Sequence, residues 1–160
     1  MVLLEKDYNN ADDDNSMNSV TNAILKKIKL DTSYNIPYTA GYSEDGSIIY
    51  IDKNLPRSYN NSKGEKVFVY PFLIMHEATE ISLINVLGLN YKQAHRLALN
   101  EEQASVTSYG YDWKEYDKFM QEWTNIIMDM NIESVPKNLD LTPYEDMKSE
   151  LLPAMREAQK

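Results

Sequence analysis

The chain holds two histidines, His76 and His95, and the first opens His76-Glu77-Ala78-Thr79-Glu80. On a helix, positions 76 and 80 stand one turn apart on the same face, about 6 Å along the axis. An imidazole and a carboxylate at that spacing can ligate one metal ion. Glu77, turned by about 100° from His76, would flank such an ion instead of binding it. In the helical His-Glu-x-x-His motif two histidines bind zinc, and the glutamate after the first is the general base that activates a metal-bound water. Here Glu80 stands where that motif has its second histidine. His95 falls near the start of the next predicted helix, with Glu102 two turns further along the same face. His76, Glu80 and His95 would make a His₂Glu set, of the kind that holds catalytic zinc and leaves the fourth position to water. Ligation by Glu102 as well would close the site and favour a structural metal.

Each of these residues also has a plainer role. His76 could be a core histidine bonded to Glu80 across one turn, with Glu77 in solvent. His95 could be a surface or helix-packing residue, and Glu101 and Glu102 an exposed helix face. Against this stands the company the motif keeps: Phe72, Leu73, Ile74, Met75, Ile81, Leu83 and Ile84 surround it. Such a helix is buried, burial of uncompensated carboxylates is costly, and metal ligation is one compensation. A ferritin-like di-iron arrangement of the Glu-x-x-His type is disfavoured, because position 73 is Leu and position 92 is Lys. The chain contains neither a glycine-rich phosphate loop nor a cysteine nucleophile.

The elements that must position these residues read as follows. Residues 1–15 end in a polar, aspartate-rich run and are expected to be a flexible acidic N-terminus. A helix begins at Ser19, capped by Ser16 or Ser19, with Lys26, Lys27 and Lys29 at its end. Residues 34–40 and 47–52 read as two strands of a hairpin turning at Glu44-Asp45-Gly46, with Pro37 at an edge. Residues 56–66 read as loop, and 67–70 as a short third strand. Pro71 and Gly88 frame the helix of the motif. Asn90 caps a helix from Tyr91 to about Tyr109, and Asp112 with Glu115 forms a capping box for another. Thr142-Pro143-Tyr144-Glu145 reads as a further capping box. This order predicts an α+β chain with a single domain over residues 16–160.

Composition narrows the function. At 160 residues, 42% hydrophobic and 26% charged, the chain has ordinary globular usage and room for one core. A net charge of −9 opposes nucleic-acid binding through phosphate neutralisation. The absence of cysteine excludes disulfides and thiolate metal sites. The sequence shows neither a spanning apolar run nor a secretory leader, so a cytoplasmic, non-membrane protein is expected.

The strings YIDKNLP (50–56), PFLIMHEATEISLI (71–84), YKQAHRLALNEEQA (91–104) and DWKEYDKF (112–119) resemble small phage and prophage-type proteins with a zincin-like core and a variant His-Glu-x-x-Glu motif. The resemblance covers residues 34–123. It implies a minimal zincin-like fold, a small antiparallel sheet packed on the active-site helix, with a downstream helix supplying further ligands. It implies one Zn²⁺ on His76, Glu80 and His95, with Glu77 as base and Glu102 as a further ligand. The function so implied is a metal-dependent, peptidase-like hydrolase acting on a peptide or protein. The alternative is a non-catalytic structural or assembly protein that meets phage-type partners in a host cell or virion.

Overall fold

The computed structural model describes residues 2–3 and 15–160. The expected mobility of residues 1–15 therefore falls largely outside the described residues. Strand β1 (Val2–Leu3) is followed by helix α1 (Asn15–Leu25), then strand β2 (Lys29–Asp31). The helix thus starts before Ser19 and stops before the lysines, a correction to the predicted bounds. Lys29 belongs to β2 because the next residue, Leu30, is wholly buried in the sheet. A three-residue strand with one apolar position has no alternation to reveal it.

Strands β3 (Ala40–Tyr42) and β4 (Ile48–Ile51) form the expected antiparallel hairpin. Its turn is held by Asp45, whose Oδ1 accepts bonds from the Ser43 hydroxyl and from the Ser47 amide and hydroxyl. The sheet order is β1-β2-β4-β3, with β2 parallel to β4. The sheet is therefore mixed, where an antiparallel one was expected. Alternate β4 residues face opposite ways: Ile49 and Ile51 join the core under the helices, while Tyr50 joins a second cluster with Ile36, Leu139 and Tyr144. The C-terminal segment covers that second face, which is why β4 is apolar throughout.

Residues 34–39 are not strand. Tyr38 and Thr39 have φ of 66° and 78°, in the left-handed region that a β-branched residue avoids. Buried Asp52 helps to hold this segment: its carboxylate accepts from the Ile36 amide at 2.7 Å and the Asn54 amide at 2.8 Å. A second hairpin, β5 (Ser58–Asn60) with β6 (Lys66–Phe68), occupies part of what read as loop. The predicted strand at 67–70 ends early because Tyr70 already belongs to the next helix.

Helices α2 (Tyr70–Asn85), α3 (Tyr91–Ser108), α4 (Trp113–Met128), α5 (Thr142–Asp146) and α6 (Leu152–Ala158) complete an α+β fold. Asn90 and Gln93 cap α3 reciprocally, and Asp112 accepts from the Glu115 amide. Thr142 lies inside α5 instead of capping it, because Asp140 accepts its amide at 2.9 Å. Helix α2 packs on β3 and β4 and against α3, which explains its apolar residues on every side. Among the described residues no helix is long and apolar enough to cross a membrane.

Removing the Asp52 carboxylate would leave two amides without their acceptor. Bonds to a charged acceptor contribute about 1.5–3 kcal/mol each, so Asp52→Ala should lower unfolding stability by about 3 kcal/mol or more. Urea denaturation checks this, and a loss below about 1 kcal/mol would show that the carboxylate does not organise residues 34–39.

Candidate metal centre

Helix α2 delivers three titratable groups to the interior at once. His76, Glu77 and Glu80 are 6%, 7% and 3% exposed, against a helix that is otherwise apolar. Across from them, α3 brings His95 and Glu102, the latter also buried. The sequence-predicted residues therefore do meet, and the plainer role of Glu102 as an exposed face is overturned. Glu101 is the residue of that pair that faces solvent.

The contacts divide into two sides of the His76 ring. On one side, Nε2 lies 3.1 Å from Glu80 Oε2, and His95 Nδ1 lies 3.1 Å from the same oxygen. His76, Glu80 and His95 each offer one ligand atom, all within 4.8 Å of one another. Donors this close together could hold one metal ion. On the other side, His76 Nδ1 lies 2.7 Å from Glu102 Oε1. Glu102 is thus turned to the far nitrogen of the ring and stands apart from the three converging atoms. A carboxylate there fixes the ring's tautomer and orientation, leaving Nε2 directed at Glu80.

Two tyrosines extend the network. Tyr42 of β3 donates to Glu80 Oε1 at 3.2 Å, and Tyr116 of α4 donates to Glu102 Oε2 at 2.6 Å. Burial and the neighbouring carboxylates push both phenols well above their ordinary range, so they remain donors. Sequence reasoning missed both roles. Tyr116 is also a packing residue, wholly buried in the core. One signal was available: 12 Tyr against 3 Phe implies buried hydroxyls that need acceptors.

The electrostatics follow from burial among like charges. Burial alone would depress the His76 imidazolium, but its bonds to Glu102 and Glu80 outweigh this and hold it well above the usual histidine range. Glu80 is likewise disfavoured by burial, yet the two histidines keep its carboxyl below the ordinary value. Glu77 differs. Burial first, then the charge of Glu80, pushes it up to about 8, and no described residue donates it a hydrogen bond.

Glu77 lines a cavity of about 410 Å³ together with His76, Glu80 and His95. The arrangement could hold a metal ion, with a carboxyl of raised pKa beside it and a cavity lined by residues of α3, α4 and β3. Comparison with protein-family models, with curated proteins and with solved structures finds no match to this chain.

In the metal-free protein, His76 and Glu77 both titrate higher in the folded state. Each contributes stability below its ordinary pKa, 6.5 and 4.5, and that contribution is lost as pH rises through the folded value. Glu80, lowered, acts the opposite way and loses its contribution as pH falls below 4.5. For these three groups together, metal-free stability should therefore be highest near the ordinary carboxyl value of 4.5 and decline from there towards pH 8. Glu77→Gln, which mimics the protonated form, should flatten the decline and raise the melting temperature at pH 8. Melting curves of the two proteins running parallel from pH 5 to 8 would contradict this.

Proposed function

We propose that the chain is a metal-dependent hydrolase, peptidase-like, using one Zn²⁺ held by His76, Glu80 and His95. The observation that carries this reading is the convergence of one ligand atom each from His76, Glu80 and His95 within 4.8 Å, beside an unpartnered carboxyl that faces a cavity. Zinc held there by His76, Glu80 and His95 would supply Lewis acidity towards a water and a carbonyl. Glu77 takes the proton at its carboxylate and returns it to the leaving amine, a role for which a pKa near the working pH is suited. Glu102 orients His76, and Tyr116 in turn fixes Glu102. Tyr42 holds the second oxygen of Glu80 so that Oε2 stays available.

The open cavity favours an enzyme over the non-catalytic alternative, because a purely structural metal is normally closed by four protein ligands. The resemblance to phage-type proteins with a zincin-like core agrees with this assignment, and a peptide or protein is the substrate it suggests. Glu77 separates the two readings, since only a hydrolase requires its proton transfer.

Protein purified without added metal should contain about one Zn²⁺ per chain, and a His76→Ala, His95→Ala double variant should contain none. Glu80→Gln should weaken metal affinity, because it replaces an anionic ligand. Glu77→Gln should retain the metal while reducing cleavage of a broad peptide library by ~10² or more. Iron in place of zinc, or equal loss of metal in Glu77→Gln and Glu80→Gln, would overturn the assignment of roles.

A further inference from the structure

One face of α4 forms a wall of the cavity, with Trp113, Asp117 and Gln121 spaced one turn apart along it. Trp113 stacks on Tyr116, with ring centroids 5.4 Å apart. Five carboxylates line the same space: Glu77, Glu80, Glu102, Asp117 and Asp140. Among the described residues, no lysine or arginine lines it. A dication at the histidines offsets two of those charges and leaves the wall negative.

Three of the five are already engaged. Glu80 and Glu102 bind the histidines and tyrosines, and Asp140 accepts the Thr142 amide at 2.9 Å. Two are not. Glu77, 7% exposed, and half-buried Asp117 accept no hydrogen bond or ion pair from any described residue. A carboxyl as deeply buried as that of Glu77, without a partner, marks a position where a ligand supplies what the protein does not. For Glu77 the proposed function provides that ligand. Asp117, partly open to solvent, lines the same cavity one helical turn from the Trp113 indole, the ring type that best attracts a cation.

Resting on the hydrolase reading above, we propose that this wall selects peptides carrying a positively charged nitrogen, held by Asp117 and covered by the Trp113 ring. The nitrogen is that of a lysine or arginine side chain or of the peptide's N-terminus, since both present the same chemistry. A basic side chain would lay its aliphatic stem along the aromatic residues and place its charged head at the carboxylate. A cavity of about 410 Å³ has the size of a side-chain or small-ligand pocket. An anionic side chain at this wall would be repelled by Asp117, which gives discrimination as well as attraction.

Calorimetric titration of the zinc-loaded Glu77→Gln chain tests this without depending on turnover. The probes are hexapeptides of one neutral sequence, acetylated and amidated, with lysine, arginine or norleucine at the centre, plus the norleucine peptide with a free N-terminus. At least one charged peptide should bind about tenfold more tightly than the acetylated norleucine peptide. Adding Asp117→Asn should reduce that preference to within about twofold while leaving the melting temperature unchanged. Gain with the central residue identifies a side-chain site, and gain only with the free terminus identifies an N-terminal site. Equal affinities, no heat at about 1 mM peptide, or a preference that survives Asp117→Asn would overturn the proposal. The two readings fail separately. Cleavage of neutral and basic peptides at equal rates by the parent chain leaves the hydrolase and removes this subsite. A charge preference in a chain that binds no zinc does the reverse.

Discussion

Taking ionised groups out of water costs several kcal/mol each unless partners replace the solvent, and α2 takes three titratable side chains into the interior within five positions. The structure meets this cost through one carboxylate oxygen. Glu80 Oε2 stands 3.1 Å from a nitrogen of each histidine, tying α2 to α3. Around that oxygen the remaining contacts are complementary. Glu102 holds the opposite side of His76, Tyr42 the second oxygen of Glu80, and Tyr116 the second oxygen of Glu102. Each buried group but one has a fixed partner, and the exception, Glu77, faces the cavity.

The elements around this network act as its supports. The mixed sheet, covered on both faces, presents β3 as an edge strand beside α2, and from that edge Tyr42 reaches Glu80. The capped start of α3 at Asn90 sets where His95 falls on its helix, one turn after Tyr91, whose ring lies 5.4 Å from the imidazole. Helix α4 contributes twice, through Tyr116 below the metal centre and through Asp117 along the cavity wall. The strained pair Tyr38 and Thr39 lies at the same cavity. Left-handed conformations of this kind persist only where their surroundings over-determine them, as the bonds to Asp52 and Ile36 do here.

Much of the centre was legible in the sequence because it depends on helical spacing. His76, Glu77 and Glu80 lie within five residues of one helix, and their relative directions follow from 3.6 residues per turn. The caps at Asn90 and Asp112 are equally local, and they fixed the positions of α3 and α4. What escaped notice depends on contacts between distant parts of the chain. Strands β2 and β5 have three residues each, too few for alternation to show, and the parallel pairing of β2 with β4 has no signature in either segment. Tyr42 and Tyr116 lie 38 and 14 residues from the carboxylates they bind, so only the fold reveals them. The role of Glu102 was legible by position but not by function. Its helical face was clear, whereas the nitrogen of His76 it would meet depends on how α2 and α3 cross.

The central claim is that His76, Glu80 and His95 hold one ion while Glu102 stands behind His76. X-ray absorption at the zinc edge, on protein reconstituted with one equivalent of Zn²⁺, addresses it most directly. The account predicts nitrogen and oxygen ligands alone at about 2.0–2.1 Å, with outer scattering from two imidazoles. A spectrum with fewer than two imidazoles, or with the longer bonds of an octahedral hydrated ion, would contradict it.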